Sequence, residues 1–147
     1  MKKAIETKKA PGAIGPYSQA IMINNLIFCS GQVGKDPKTN QFVEGGVEAQ
    51  TKQVLENLKA VLASGGADFS NVVKTTVYLK NVSDFSKINE VYATYFQKPY
   101  PARATIEAAR LPQDALVEIE CLAFIDSPPS RKATEGEKDC GKDCSCC

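Results

Sequence analysis

The sequence predicts an α+β fold, a single domain over residues 1–126 in which two helices lie on one face of one mixed β-sheet. Three observations lead there. Segments of alternating polarity surround two segments of helical spacing, in the order hairpin, helix, strand, helix, strand, strand. With 147 residues and 43% hydrophobic content, the chain can bury a core of its own. From Asp126 the composition changes to DSPPSRKATEGEKDCGKDCSCC, whose prolines and polar groups cannot offset the entropy of ordering, so residues 127–147 are expected to be a disordered, cysteine-rich tail.

The hairpin is read from GPYSQAIMI and LIFCSG, joined by Asn24 and Asn25, since asparagine tolerates the left-handed backbone of a tight turn. After a polar loop containing DPKTNQ, Val47, Thr51, Val54, Leu55, Leu58 and Leu62 recur at helical spacing over residues 47–63, and Gly65 and Gly66 supply the stop. Residues 72–79 return to period two, with Val73, Thr75, Val77 and Leu79 on one side and Lys74, Thr76 and Tyr78 on the other. Ser83 is positioned to cap a second helix whose inner stripe is Phe85, Ile88, Tyr92, Tyr95 and Phe96, ended by Pro99 and Pro101. The last two strands lie within PARATIEAARLPQDALVEIE and its continuation. In the first, Arg103, Thr105 and Glu107 share one side; in the second, Val117, Ile119, Cys121, Ala123 and Ile125 form an apolar side. The opposite side of that strand mixes Leu116, Glu118, Glu120, Leu122 and Phe124, which suits an interface or a pocket better than open water. With both helices on one face, other copies of the chain are expected to cover the other, in a closed symmetric ring.

Composition removes several function classes. There is no histidine, so Ser/His/Asp and Cys/His catalysis are excluded, and chemistry must run on Tyr, Arg, Glu, thiols, backbone amides or bound water. Net charge is +1 with no long block of like charge, so the electrostatic footprint of nucleic-acid binding is missing. No apolar run approaches membrane-spanning length, and MKKAIETKKAPG lacks the apolar stretch of a secretory signal, so a cytoplasmic protein is expected, with a mitochondrial address left open. Cys29 and Cys121 fall in strand-like runs where a thiol behaves as a small hydrophobe.

One arginine and two spaced glutamates in segments that otherwise read as buried β-strand need a reason. Arg103 with Glu118 or Glu120 is either a structural ion pair or part of a ligand site. Tyr17 alone reads as an interface aromatic, and Ser30 before Gly31 as a strand-ending turn.

GAIGPYSQA, LIFCSGQV, VKTTVYLK, the Asn89 and Tyr92 helix face and above all PARATIEAARLPQDALVEIE resemble the RidA/YjgF family of reactive-intermediate deaminases, over roughly residues 2–125. The resemblance implies a chorismate-mutase-like α+β subunit in a homotrimer with clefts between subunits. It also implies hydrolysis of 2-iminobutanoate or 2-iminopropanoate to the 2-oxo acid and ammonia, with no metal or organic cofactor. Imine hydrolysis needs an oriented water and a held carboxylate rather than a strong nucleophile. Arg103 can grip the carboxylate through two parallel charge-assisted hydrogen bonds. By similarity, Glu118 holds the attacking water, Tyr17 assists proton movement, and Ser30, Gly31 and the backbone amide of Thr105 complete the cradle. Family members often carry cysteine where Thr105 stands, which a backbone contact survives. Glu120 is read as structural.

Two competing readings remain: an RNA-binding or ribonuclease-like translation inhibitor, and a non-catalytic binder of small carboxylates. The tail departs from the family pattern. Cys140, Cys144, Cys146 and Cys147 suit soft-metal coordination, oxidation or lipid attachment, none of which the spacing selects.

Overall fold

The computed structural model describes residues 1–126; the expected tail, with Cys140, Cys144, Cys146 and Cys147, lies outside the described residues. Eight regular elements follow one another: β1 (Lys2–Ile5), β2 (Ala20–Ile23), β3 (Leu26–Val33), α1 (Gly46–Ser64), β4 (Val72–Leu79), α2 (Phe85–Ala93), β5 (Ala102–Glu107) and β6 (Val117–Phe124). The strands form one six-stranded sheet in the order β1-β2-β3-β6-β4-β5. It is mixed, because β4 and β5 run parallel while every other pair is antiparallel. The α+β expectation, with two helices on one sheet face, is what the chain builds.

Helix α1 supplies the largest part of the core, with Val54, Leu55, Leu58, Val61 and Leu62 fully buried. They meet Ile27, Val77, Leu79, Val117, Ile119 and Ala123 from the sheet, the alternate residues that the pleat points toward the helices. The helix stops where the spacing predicts. Gly66 takes φ 79, and the N–H groups of Gly66 and Ala67 close onto the carbonyls of Ala63 and Leu62, satisfying groups that the last turn would leave bare. Between β2 and β3, Asn24 takes φ 51 in the expected tight turn, with Ile23 opposite Leu26.

Five details differ from the sequence reading. Strand β1 was missed because, of KKAI, only Ile5 is buried, so no alternating pattern exists to read. It pairs with β2, which is correspondingly short, and Tyr17 falls in the loop before it. Val73 is exposed and Val72 buried, since a bulge between Val72 and Lys74 turns the first residues of β4 over. Ser83 does not cap α2; it lies in a 3-10 turn over Val82–Asp84, and the Val82 N–H is instead received by Glu107 Oε2 at 2.8 Å. Leu116 precedes β6 and packs against the core rather than lying on the open face. Strand β5 is an edge strand, mostly exposed, rather than a buried one.

The face away from the helices carries exposed apolar side chains, Phe28 and Phe124 among them at 46% and 45% exposure, with Ile106 at 51% on the edge strand. Among the described residues, no helix is long and apolar enough to cross a membrane.

Candidate active site

Two cavities hold the residues singled out above, Thr105 excepted, and they share no lining residue. The first, of about 530 Å³, gathers Tyr17, Ser30, Gly31, Glu118 and Glu120. The second, of about 470 Å³, holds Arg103 with Asn89, Tyr92 and Tyr100. Both are of the size that accommodates small organic ligands. A single chain therefore assembles the acid half and the cationic half of the expected site separately.

The acid half is shaped by backbone. Strand β3 shifts register against β6 between Cys29 and Gln32, so Ser30 and Gly31 form the irregularity beside Glu118. A Cβ on Gly31 would collide with the Glu118 carboxylate, so the glycine is what gives that carboxylate its room. Ser30 spends its donors internally: its N–H reaches the Gln19 carbonyl at 3.0 Å and its hydroxyl the Ser18 carbonyl at 2.6 Å. Gln19, almost fully buried, in turn ties down the N-terminal loop, donating to the carbonyls of Thr7 at 3.1 Å and Pro11 at 2.8 Å while accepting from the Thr7 N–H at 2.7 Å. That loop presents Tyr17, 52% exposed, whose hydroxyl accepts from the Ile14 N–H at 3.2 Å.

Glu118 is half-buried, and burial, reinforced by the neighbouring Glu120 charge, holds its carboxyl above the usual glutamate range. Such a group exchanges a proton closer to neutrality than an ordinary surface acid does. Glu120 itself accepts from the Tyr78 hydroxyl at 3.3 Å, and burial followed by that carboxylate pushes the Tyr78 phenol up. Thus Glu120 has a partner within the chain, which agrees with a structural reading of it.

The cationic half is built on α2. Phe85, Asn89 and Tyr92 recur at helical spacing and make one stripe under Arg103. The guanidinium lies 4.8 Å from the Tyr92 ring centroid and 5.5 Å from that of Phe85, while Nη1 donates to Asn89 Oδ1 at 2.8 Å. Tyr92 is itself pinned, stacked on Phe96 at 4.3 Å, with its hydroxyl 2.8 Å from the buried Thr75 Oγ1. Burial pushes its phenol up, so it stays neutral. One guanidinium donor is spent on Asn89, leaving the others for an anion in the adjoining cavity. Thr105 follows two residues later on the same side of β5, half-buried. Neither Glu118 nor Glu120 pairs with Arg103 within the chain; among the described residues the one ion pair is Lys80 with Asp114, at 3.0 Å on the surface.

Three participants were given no site role by the sequence reading. Phe85, Asn89 and Tyr92 stand at i, i+4, i+7 spacing, but that spacing marks a shared face and not the Arg103 side chain that lies on it. Gln113 lines the acid cavity from a turn in which it and Asp114 both take positive φ, 54 and 63, a backbone conformation no residue-type pattern announces. Among the described residues no cluster of His, Cys, Asp and Glu has metal-binding geometry.

Comparison with known proteins adds independent support. The chain is 49% identical over 124 residues to human 2-iminobutanoate/2-iminopropanoate deaminase, covering 84% of this chain and 90% of that protein. Among solved structures, RidA from the Antarctic bacterium Psychrobacter sp. matches with a TM-score of 0.81 at 45% identity, over 84% of this chain and 99% of that one. E. coli TdcF, solved with bound serine, matches with a TM-score of 0.80 at 40% identity, over 84% of this chain and 98% of that one. The model of the Endoribonuclease L-PSP family matches residues 7–125. On the strand signature and this match alike, the chain belongs to the Endoribonuclease L-PSP family, the RidA/YjgF proteins.

Proposed function

We propose that this chain hydrolyses 2-imino acids, 2-iminobutanoate and 2-iminopropanoate among them, to 2-oxo acids and ammonia in clefts formed where copies of the chain meet. The observation that carries the reading is the division of the site. A guanidinium with free donors and a carboxyl with elevated proton affinity stand in separate cavities of one chain, beside a sheet face whose apolar side chains are uncovered. Packing that face against another copy, in a homotrimer, brings the Arg103 half of one protomer to the Tyr17 and Glu118 half of the next. The catalytic unit is residues 1–126.

In this reading the substrate carboxylate docks on Arg103, whose orientation Asn89 and the Tyr92 ring have already set, so little entropy is lost on binding. The backbone of Gly31 and Thr105 and the wall shaped by Ser30 close the cradle. Glu118 accepts a proton as water adds to the imine carbon, forming a carbinolamine. The same proton then goes to nitrogen, the C–N bond breaks, ammonia leaves and the carbonyl forms. Tyr17 hydrogen-bonds the water or the departing nitrogen. The names of relatives such as human 2-iminobutanoate/2-iminopropanoate deaminase and the serine bound to E. coli TdcF support a small amino-acid-like substrate.

The test generates 2-iminobutanoate in situ from threonine with a dehydratase and follows trapping by semicarbazide. The protein is expected to divert imine to 2-oxobutanoate, and Arg103→Ala to lower kcat/KM by about a thousandfold, the loss of both a charge-assisted pair and substrate orientation. No diversion by the wild-type chain, or equal diversion by the variant, overturns the reading. A salt-sensitive complex with RNA would instead promote the ribonuclease-like alternative that the family's description carries.

A further inference from the structure

Lys35 stands where a lysine needs a reason. It follows β3, is 7% exposed, and lines the same cavity as Tyr17 and Glu118. A lysine with so much of its stem covered keeps its charge either by reaching an opening or by meeting an anionic partner. Among the described residues none is present, since the one ion pair is Lys80 with Asp114. Among the described residues its ammonium makes no hydrogen bond and lies over the face of Phe42, with Nζ 5.4 Å from the ring centroid, while Nζ itself stays open to the cavity, since no buried side-chain nitrogen is left without a partner. Nor is the residue free to leave. Its carbonyl accepts from the buried Asn57 Nδ2 at 2.9 Å, its N–H donates to the Val33 carbonyl at 2.8 Å, and it bridges to Phe42 across the loop. A cation on a fixed stretch of backbone therefore shares a cavity with two carboxylates with which it makes no ion pair.

Resting on the imine hydrolysis proposed above, we infer that Lys35 is a specificity residue that receives a second carboxylate, so that the preferred substrates are 2-imino dicarboxylates of four or five carbons. The 2-carboxylate goes to Arg103 of the adjoining copy and the side-chain carboxylate to Lys35. The reaction is unchanged in its balance: water adds to C2, the C–N bond breaks, and a 2-oxo dicarboxylate and ammonia result. A substrate ending in methyl leaves the Lys35 charge without its counter-ion, whereas one ending in carboxylate supplies it.

A matched pair of four-carbon imines decides the matter: 2-iminobutanoate from 2-aminobutanoate and 2-iminosuccinate from aspartate, each made by an amino-acid oxidase and followed by semicarbazide trapping. The ratio of kcat/KM for the dicarboxylate to that for the monocarboxylate is expected to exceed ten in the wild-type chain, to fall at least tenfold in Lys35→Met, and to stay within threefold of wild type in Lys35→Arg. Should Lys35→Met fail to fold, product inhibition of the wild-type chain serves instead, with oxaloacetate expected to bind at least tenfold tighter than 2-oxobutanoate. A ratio near one, an unchanged ratio in Lys35→Met, or an acidic side chain of a neighbouring copy within ion-pair distance of Nζ in a structure of the assembly overturns the inference while leaving imine hydrolysis standing. Failure to turn over either imine removes both.

Discussion

The two halves of the site hold their charges by opposite means. Arg103 is exposed and propped from beneath: a ring on one side, an amide on another, and a buried hydroxyl anchoring the ring. Glu118 is half-buried and held by what is left out, since Gly31 offers no Cβ and the charge that acts on it is another carboxylate, Glu120. One half orders a strong charge at little cost in solvation; the other raises the proton affinity of a weak acid. A binder of small carboxylates needs only the first. Water activation needs the second, and substitutions that separate the two halves test which of them the chain depends on.

The largest separation is expected from Glu118→Gln, which keeps the shape and removes the proton acceptor. Its kcat should fall by about 10²–10⁴ with little change in carboxylate binding, measured as inhibition by 2-oxobutanoate. Wild-type activity should fall on the acid side around a pH above the ordinary glutamate value of 4.5, and Glu120→Gln should move that limb part of the way down, because burial is the larger cause of the shift. Stability carries the same signature with a definite sign. A folded-state pKa raised above the unfolded one means the native chain binds more protons in the interval between them, so stability declines as pH rises through it. Glu118→Gln should therefore melt higher than wild type above that interval, and the gain should vanish below the unfolded glutamate pKa. A variant that loses activity and also melts lower at neutral pH would mark Glu118 as a structural acid.

Gly31→Ala attacks the same half through space. The added methyl meets the Glu118 carboxylate, so either the carboxylate swings away or β3 shifts. Overpacking of this kind costs about 1–3 kcal/mol, and misplacing the water-holding group costs up to about a hundredfold in kcat. Combined with Glu118→Gln, the second substitution should add little further loss, because both remove one function.

How much of this was legible depended on whether a feature leaves a periodic trace. Helix α1 was readable from its apolar spacing and its glycine stop, and β6 from strict alternation of Val117, Ile119, Cys121 and Ala123 with acids and large hydrophobes. Strand β1 was not, because three of its four residues are exposed and its pairing with β2 is a long-range fact. Val73 was assigned to the wrong face because a bulge has no residue-type marker. For the site, alternation placed Arg103 with Thr105 and Glu118 with Glu120 correctly within each strand. Which face each group takes is decided by the register between strands, which sets Arg103 and Thr105 level with Thr75 and Val77 on the helix side and Glu118 and Glu120 level with Tyr78 and Thr76 on the other. Lys35 gave no signal, since a lysine in a polar loop is ordinary until the fold closes over it.

The smallest and sharpest test lies under the arginine. Tyr92 has two parts, a ring that carries the guanidinium and a hydroxyl 2.8 Å from the buried Thr75 Oγ1. Tyr92→Phe removes only the second. It leaves the Thr75 hydroxyl without that partner, a loss of about 1–3 kcal/mol in stability, while the ring still stacks on Phe96 and still faces Arg103. Activity should then change by less than about threefold. Tyr92→Leu keeps apolar bulk but removes the quadrupole, and a cation–π contact at a partly open site is worth about 0.5–1 kcal/mol, so kcat/KM should fall by about two- to fivefold through KM. If Tyr92→Phe proves the more damaging of the two to KM, the arginine is positioned by the hydroxyl network reaching into the core, and the picture of a charge propped from the surface gives way to one anchored from within.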